Sequence, residues 1–393
     1  MEIKIITKKQ TCIVCNGKLW YDLPSPSSTQ SMTTSGVFNP EPLGKSQCCN
    51  CGLVQRTEYD YLGLTDFYET KYASYYSRPK QFDFNKSRYL ELAEWVKKAL
   101  PDITPNSILE VGCGQGWTLN AIKGIYPEAR LEGVEPSETN SENARKLGLD
   151  VNSCKLDSFI PIDNRKYDLV FSNHVLQHTT NPIEFLQKCK QLLAEDGHIM
   201  ITVQNSSYPS SELLYSDQNF SFLPYHLIEL GNKIGLETVI HNESPQSDAL
   251  LFSQIIVYRK AKNKLSENLK PSSSELNLLL NKKNSYLNLW KMLDNFLCYK
   301  IQGYDNVFNL GAGLFSYLLA CYAPNYWNAV TACVVDDYEG TFLTKNVVDF
   351  KNIEKKTNDI IVLGVRPFIQ DFLFEKVTQK GFECVKWNNF FSM

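Results

Sequence analysis

The sequence predicts an α/β protein built on a Rossmann-like sheet, and three observations support this fold class. From residue 107 to about residue 260, short apolar runs alternate with helical stretches, which is typical of a parallel sheet with helices on both faces. A glycine-rich loop at residues 110–116 follows the first apolar run and directly precedes a helix start at Trp117. A smaller pattern of the same kind begins at Val307, which predicts a second Rossmann-like domain.

Each predicted element follows from its apolar spacing. Apolar residues at helical spacing between about residues 85 and 100 predict a helix ahead of the sheet. The strands predicted for the central sheet are 107–111, 131–135, 167–173, 198–204, 237–240 and 251–258. The polar stretch 261–275 predicts a linker. In the C-terminal part, strands are predicted at 307–310, 331–335 and 360–363, with a helix ending near Ala323.

Length and composition narrow the class of protein. A chain of 393 residues is too long for one ordinary core, and a net charge of −3 without long charged runs gives no footprint for nucleic acid or an acidic membrane. The most apolar window, 310–323, is shorter than the roughly 20 residues of a membrane span. No signal peptide is recognised at the N-terminus, so the 12 cysteines predict a reducing compartment, the cytoplasm.

Two Cys-x-x-C pairs, Cys12/Cys15 and Cys48/Cys51, predict a structural Zn²⁺ site of four thiolates. Cys49 is an alternative to Cys48, but the two-residue gap favours Cys48. Residues 24–44 are rich in Ser, Thr, Pro and Gly, and such a segment needs a stabilising cross-link to become ordered. A bound metal would be such a cross-link, with a binding energy on the order of 10 kcal/mol. The alternative is a set of free cysteines on a loop.

The glycine-rich loop predicts a nucleotide-cofactor site. Glu110 ends the first strand, and Gly112, Gly114 and Gly116 follow at a spacing that differs from the dinucleotide pattern G-x-G-x-x-G. Glu135 lies about 20 residues after the loop, where a carboxylate can accept both hydroxyls of a ribose.

This arrangement resembles the first motif of class I S-adenosylmethionine (SAM) methyltransferases. Residues 167–178 are similar to the stretch in which a strand ends beside the methionine moiety, here at Asn173, and a histidine follows, here His178. The resemblance implies a seven-stranded Rossmann-like core with SAM as cofactor. It assigns cofactor binding to the loop and strand-end residues Glu110, Gly112, Gly114, Gly116, Glu135 and Asn173.

The order of cysteine pairs, methyltransferase core and terminal Rossmann-like piece resembles a three-domain family of zinc-containing methyltransferases, whose best-known members methylate nucleotide-linked deoxysugars at carbon. The domains implied are 1–58 for zinc, 59–260 for SAM with a helical cover, 261–300 for a linker and helix, and 301–393 for the C-terminal unit. Family members carry Tyr-x-Glu-His, where this chain has Tyr215-Ser216-Asp217-Gln218.

Four residues are candidates for catalysis. His178 is the first candidate base, because an imidazole titrates near neutrality; the alternative is a structural hydrogen bond near the cofactor. Asp217 is a second candidate base, or a residue of a solvated turn. Tyr215 is positioned to orient an acceptor hydroxyl, and Tyr76 lies in the segment that caps the active site in the resembling family.

These observations predict a SAM-dependent methyltransferase acting on a small metabolite, most of all a nucleotide-linked sugar. Alternatives are an O- or N-methyltransferase of another polar natural product, an RNA or protein methyltransferase, and a non-catalytic binding module. Between Cys12 and Cys51 the only cations are Lys18 and Lys45, which disfavours RNA. We expect a monomer or homodimer with no nucleic-acid or membrane partner, and a C-terminal unit in which Gly311, Gly313 and Asp336 help to hold the acceptor.

Overall fold

The computed structural model describes residues 5–7, 10–58, 67–72, 79–244, 252–262 and 269–391, and gives the main chain alone for 5–7, 71 and 79–86. The described residues cluster into two compact units. The first unit is drawn from Met1–Asp22, Lys45–Leu213 and Asp217–Leu280. The second is drawn from Leu23–Gly44, Leu214–Ser216 and Asn281–Met393.

The helices and strands follow one another in three groups. The first group comprises β1 (Ile5–Thr7), β2 (Leu19–Asp22), β3 (Ser31–Met32), β4 (Phe38–Asn39), β5 (Lys45–Cys48) and β6 (Val54–Arg56). The second comprises α1 (Pro79–Ala99), β7 (Ser107–Val111), α2 (Trp117–Ile125), β8 (Arg130–Val134), α3 (Glu138–Lys146), β9 (Asp150–Asn152), β10 (Tyr167–Asn173), α4 (Pro182–Leu192), β11 (Leu193–Gln204), β12 (Phe220–Ser221), α5 (Pro224–Lys233), β13 (Leu236–Glu243) and β14 (Ser253–Lys260). The third comprises α6 (Ser273–Lys300), β15 (Asn306–Leu310), α7 (Leu314–Tyr322), α8 (Pro324–Ala329), β16 (Val330–Val335), β17 (Gly340–Phe342), β18 (Lys345–Asp349), β19 (Asp359–Leu363), α9 (Gln370–Gln379) and β20 (Glu383–Val385).

The central sheet confirms the predicted seven-stranded Rossmann-like fold. Its strand order is β13-β14-β11-β10-β7-β8-β9. The pairs from β11 to β9 are parallel, whereas β14 runs antiparallel to both of its neighbours. From β7 the chain adds β8 and β9 on one side of the sheet, and it then crosses to the other side of β7 to add β10 and β11. Ligands in such sheets bind beyond the carboxyl ends of the strands at this switch point.

The pleat of the sheet explains why helices cover both faces. Successive strand residues, such as Ile108 and Leu109 or Ile255 and Ile256, belong to two different buried clusters. The cluster on one face contains side chains of α1 and α2, namely Leu92, Trp95, Val96, Leu119 and Ile122. The cluster on the other face contains Leu186 and Cys189 of α4 and Leu227 and Leu230 of α5. Because both faces of these strands are buried, the strands appear in the sequence as continuous apolar runs.

The strands β9 and β11 depart furthest from the predicted central sheet. The strand β9 was not predicted, because its three residues are too few to show a period. The strand β11 begins at Leu193, five residues before the predicted start at His198. Gly197 permits this extension, since a Cβ there would lie 2.7 Å from the main-chain oxygen of Tyr167 on the paired strand.

A second sheet of the first unit, with the order β1-β2-β5-β6-β12, carries the cysteine pairs. All its described pairs are antiparallel. Its fifth strand, β12, comes from the segment that follows β11. The chain around the cysteines is thus hydrogen-bonded to the segment that contains Asp217.

The second unit contains a six-stranded sheet of order β17-β18-β16-β15-β19-β20, of which only β17 is antiparallel to its neighbour. Gly311 follows β15 with φ 125°, and a Cβ there would lie 2.7 Å from the oxygen of Gly364. Asp336 pairs with Lys376 at 2.8 Å. The predicted linker, 261–275, extends too far, because α6 begins at Ser273.

The segment 23–44 also belongs to the second unit. Met32 pairs with Tyr215, and the side-chain amide of Gln30 donates to the main-chain oxygen of Cys321 at 2.7 Å. Within the described ranges, no helix combines the length and apolarity needed to cross a membrane.

Candidate functional site

A cavity of about 360 Å³ lies in the first unit at the carboxyl ends of β7, β8 and β10. Its volume falls in the range of small-molecule sites, about 300–1,000 Å³. The predicted site residues that line it are Glu110, Gly112, Gly114, Glu135, Asn173 and His178. Gly116, Tyr215 and Asp217 do not line it, and Tyr76 lies outside the described residues.

The three glycines of the loop have positive φ angles of 73°, 53° and 80°, but they differ in what surrounds them. A Cβ on Gly112 would lie 2.4 Å from Cγ2 of Val175, and a Cβ on Gly116 would lie 2.6 Å from Leu149. A Cβ on Gly114 would meet nothing within 4 Å. Gly112 and Gly116 are therefore required by packing, whereas Gly114 keeps a side chain out of the cavity.

Glu135 holds the glycine-rich loop against the end of β8. Its Oε2 accepts the amide of Gly114 at 2.9 Å, and its Oε1 accepts the amide of Ser137 at 3.0 Å. Burial raises the pKa of the Glu135 carboxyl, and these two amides oppose the rise. A carboxylate offers about four acceptor sites, so the group can accept a further donor, such as a ribose hydroxyl.

Glu110 is a second buried carboxyl group of the cavity. Burial and the neighbouring Glu135 raise its pKa well above the ordinary value. Its Oε2 has no hydrogen-bond partner among the described residues. A buried polar atom in a cavity wall without a partner is suited to meet a donor group of a ligand.

Asn173 and His174 follow one another at the end of β10. The Asn173 side-chain oxygen accepts the hydroxyl of Thr202 at 2.5 Å, which fixes its amide. His174 has φ 53°, an uncommon angle for a residue with a side chain. Burial, Arg88 and His178 lower the pKa of His174 to about 3, so its ring is neutral at pH 7. Such backbone outliers concentrate at functional sites.

His178 and Asp217, the two candidate bases, contact each other. His178 lies in a single 3₁₀ turn, Leu176–His178, which precedes α4. Its Nδ1 lies 2.7 Å from the main-chain oxygen of Asp217 and 3.6 Å from the Asp217 carboxylate. A carbonyl oxygen accepts only, so Nδ1 carries the proton and Nε2 carries the lone pair.

Asp217 is fully buried behind His178 rather than solvated in a turn, so that alternative is wrong. Lys45 is buried in the same region, with its Nζ donating to the main-chain oxygen of Glu212 at 2.9 Å. Burial lowers the pKa of Lys45 to about 7, while the carboxylates of Glu212 and Asp217 favour its charged form. Asp217 thus lies between a cavity histidine and a buried cation.

Two tyrosines that precede Tyr76 in the sequence lie at the cavity. Tyr68 and Tyr72 line it, and the Tyr68 ring meets the His178 ring edge-on, with centroids 6.1 Å apart. The Tyr68 hydroxyl donates to the main-chain oxygen of Asp217 at 3.4 Å. Burial raises the pKa of Tyr68 well above its ordinary value, so the hydroxyl keeps its proton.

Arg88 and His174 are among the ionisable residues of the cavity that sequence reasoning missed; Lys155, Asp157 and Glu184 are others. Arg88 lies on α1, and no local pattern distinguishes it from the other polar residues of that helix. His174 directly follows Asn173, so its place at the end of a predicted strand was the available signal. Tyr215 lies in the second unit, where its main chain pairs with Met32.

The four predicted metal ligands converge on one point. The sulfurs of Cys12, Cys15, Cys48 and Cys51 all lie within 4.8 Å of one another. Hydrogen bonding among these sulfurs, together with burial, raises the pKa of the Cys12 and Cys51 thiols. Cys49 lies outside the cluster, and burial raises the pKa of its thiol to about 11.

Both Cys-x-x-C turns fold in the same way. The amide of Asn16 donates to the oxygen of Cys12, and the amide of Gly52 donates to the oxygen of Cys48. Asn16 and Gly52 have φ angles of 58° and 81°, so the left-handed position is an asparagine in the first turn and a glycine in the second. Gly17 leaves room for sulfur, since its Cβ would lie 3.3 Å from two of the sulfurs.

The chain was compared with known proteins. Residues 84–239 match a family model described as a methyltransferase domain. One relative is a malonyl-[acyl-carrier protein] O-methyltransferase of Hahella chejuensis, 28% identical over 30% of this chain and 44% of its own. Another is a tRNA U34 carboxymethyltransferase of Idiomarina loihiensis, 28% identical over 28% of this chain and 36% of its own. A third is a ubiquinone biosynthesis O-methyltransferase of Glaesserella parasuis, 29% identical over 25% of this chain and 45% of its own.

The family model matches the region of the central sheet. The chain spans less than half the length of each of the three relatives. The matched segment contains the glycine-rich loop, Glu135, Asn173 and His178, and ends before the second unit begins its six-stranded sheet.

Proposed function

We propose that this protein transfers the methyl group of SAM to a small acceptor. The observation that carries the proposal is the pairing of Glu135 with the Gly114 amide at the mouth of a cavity over the switch point of the sheet. Both residues lie within the segment that matches a methyltransferase domain. The position of Gly114, with no atom within 4 Å of its missing Cβ, supports close approach of a ligand to the main chain.

The residues of the cavity fit the parts of SAM. Glu135 would accept the two ribose hydroxyls, and the main chain of Gly112 and Gly114 would approach the ribose or the methionine part. Glu110 and Asn173 would meet polar groups of the same ligand. When bound, SAM supplies an electrophilic methyl group on a sulfonium centre.

His178 is the residue we assign to take a proton from the acceptor. Its Nδ1–H is held by the Asp217 oxygen, so Nε2 is the basic atom of a residue that lines the cavity. General base catalysis of this kind contributes about 10²–10⁴-fold to a rate. The carboxylate of Asp217, 3.6 Å from Nδ1, would favour the imidazolium that forms.

The cysteine cluster would hold one structural Zn²⁺. Four sulfurs and no open position are the donor set of a closed tetrahedral site. Gly17, whose missing Cβ leaves space beside two sulfurs, supports this assignment.

For the acceptor, we propose a nucleotide-linked sugar. The resemblance in domain order and in the residues 176–178 supports this class, although the residues 215–218 differ from the family's Tyr-x-Glu-His. A second candidate is another polar small molecule methylated at oxygen or nitrogen, which the O-methyltransferases among the relatives favour.

The test has two steps. Calorimetry with SAM and S-adenosylhomocysteine comes first, and we expect micromolar affinities; absence of binding up to millimolar ligand would end the proposal. Transfer of a labelled methyl group is then measured with a panel of nucleotide sugars, with other polar metabolites and with tRNA. Label in a nucleotide sugar supports our acceptor class, whereas label in another metabolite or in tRNA replaces it.

A further inference from the structure

The short strand β12 connects the cysteine cluster with the turn that carries His178. It pairs antiparallel with β6, with Phe220 opposite Gln55 and Ser221 opposite Val54. The ladder continues one step further, where the amide of Arg56 donates to the oxygen of Asn219 at 2.9 Å. Asn219 is therefore held by the same sheet that carries the cysteines.

The side chain of Asn219 reaches the His178 turn from this position. Its Nδ2 donates to the main-chain oxygens of His178 at 3.0 Å and of Thr179 at 3.2 Å. Asn219 is only 1% exposed, so water does not replace these bonds in the folded protein. Two residues earlier, the oxygen of Asp217 accepts Nδ1–H of His178. The segment 217–219 thus holds both the main chain and the ring of His178.

The other end of this connection is the second cysteine turn. Cys48 ends β5 and Cys51 precedes β6, so this turn is the hairpin connection between the two strands. His226 supports it, because its Nε2 donates to the oxygen of Cys51 at 2.8 Å while its Nδ1 accepts the amide of Leu223. Cys51 lies three residues before the start of β6, and β6 is hydrogen-bonded to β12. The cysteine turn is thus connected to β12 through β6.

We propose that Asn219 is a positioning residue that makes the orientation of His178 depend on metal in the cysteine cluster. A cation bound by the four cysteine sulfurs, which lie within 4.8 Å of one another, would tie the two turns together, and its removal would loosen the β5–β6 hairpin. The β6–β12 ladder then weakens, and the bonds from Asn219 to the His178 turn are lost. The effect on turnover rests on the proposed function, whereas the structural connection does not.

Two variants and one control isolate the connection. Asn219→Asp keeps the shape of the side chain but replaces its two donor protons by an acceptor, and Asn219→Ala removes the group. The control is Asn205→Ala, which alters an equally buried amide of the same unit whose Nδ2 donates to Glu243 instead. We expect all three full-length proteins to bind zinc.

The decisive measurement is hydrogen exchange of the His178 and Thr179 amides, which bond to the oxygens of Val175 and Leu176. In the parent protein we expect chelation of zinc to accelerate their exchange at least tenfold, with β10 unchanged. Asn219→Asp should exchange at the fast rate even with zinc, and Asn205→Ala should behave as the parent. For an active enzyme, kcat of Asn219→Asp should fall about tenfold while the Kd for SAM stays within twofold.

Two outcomes overturn the proposal. In the first, chelation leaves the exchange of the parent His178 turn unchanged. In the second, β10 accelerates equally, because the metal then stabilises the whole unit rather than this turn. Because exchange needs no acceptor and no turnover, it decides the matter even for a protein that transfers no methyl group. Should Asn219→Asp fail to fold, the comparison of zinc-loaded and chelated parent protein remains.

Discussion

Nδ1 of His178 lies 2.7 Å from the main-chain oxygen of Asp217, whereas the carboxylate of Asp217 is 3.6 Å away. A substitution of the Asp217 side chain leaves this main-chain acceptor in the chain. This acceptor fixes one tautomer of the imidazole independently of charge, so the two candidate bases of the sequence have different tasks. His178 can take a proton, and Asp217 holds the imidazole ring of His178 in place.

The two residues should therefore respond differently to mutation. Because Nε2 of His178 is the basic atom, His178→Ala should lower kcat by about a hundredfold or more. Asp217→Asn keeps the carbonyl and should lower kcat less, by about tenfold. Single-turnover kinetics measures both. Equal losses for the two variants, or parental rates for His178→Ala, would contradict this division.

Glu135 should control affinity for the cofactor. A charged acceptor contributes about 1.5–3 kcal/mol per hydrogen bond, so Glu135→Ala should raise the Kd for SAM at least tenfold. Calorimetry measures this directly. The matched control is Glu138→Gln, an exposed carboxylate paired with Arg145, which should leave the Kd unchanged. An unchanged Kd for Glu135→Ala would remove the assignment.

The glycines of the loop should separate stability from binding. Gly116→Ala places a Cβ 2.6 Å from Leu149 and 2.8 Å from Ala144, so we expect a loss of about 2 kcal/mol or more in unfolding free energy. Gly114→Ala meets no atom and should lose only about 1 kcal/mol from its positive φ. Gly114→Ala should nevertheless weaken SAM binding, because its methyl group points into open space at the cavity. Denaturant unfolding measures the stability of both variants, and calorimetry measures their affinity for SAM. A larger loss of stability in Gly114→Ala than in Gly116→Ala would refute this prediction.

Elemental analysis should find one zinc per chain. Cys12→Ser removes a cluster sulfur and should lose the metal and loosen the β2–β5–β6 sheet, whereas Cys49→Ser should keep both. Proteolysis of the two variants with and without chelator reports the loosening. Zinc-free parent protein, or equal metal loss in both variants, would refute the cluster.

His174 should make the protein sensitive to acid. Its pKa falls from the ordinary 6.5 to about 3 in the folded state, so the unfolded state binds the proton more readily between these values. Stability is therefore fully present above about pH 6.5 and is lost as the pH falls toward 3. His174→Asn tolerates the positive φ and should show a smaller drop in Tm between pH 7 and pH 5. An equal drop in both proteins would exclude His174 as the cause.

The central sheet was predictable because its strands are long, apolar on both faces and separated by helices. The glycine loop and Glu135 could be placed from spacing alone, and the two-residue gap selected Cys48 over Cys49. The strand β9 and the start of β11 could not be predicted, since the first is too short for a period and the second depends on Gly197 facing Tyr167. The contribution of Arg88 to the cavity depends on tertiary packing of α1, for which local sequence contains no signal.

The residues 23–44, between the two cysteine pairs, have a consequence for synthesis on the ribosome. They leave the exit tunnel long before their hydrogen-bonded partners do: the Gln30 side chain donates to Cys321, 291 residues later. Contacts of such long separation close slowly and expose unpaired strands in the meantime. The nascent chain must therefore keep this segment from pairing wrongly until the residues around Cys321 have been synthesised, while the metal ligands on either side of the segment can already meet.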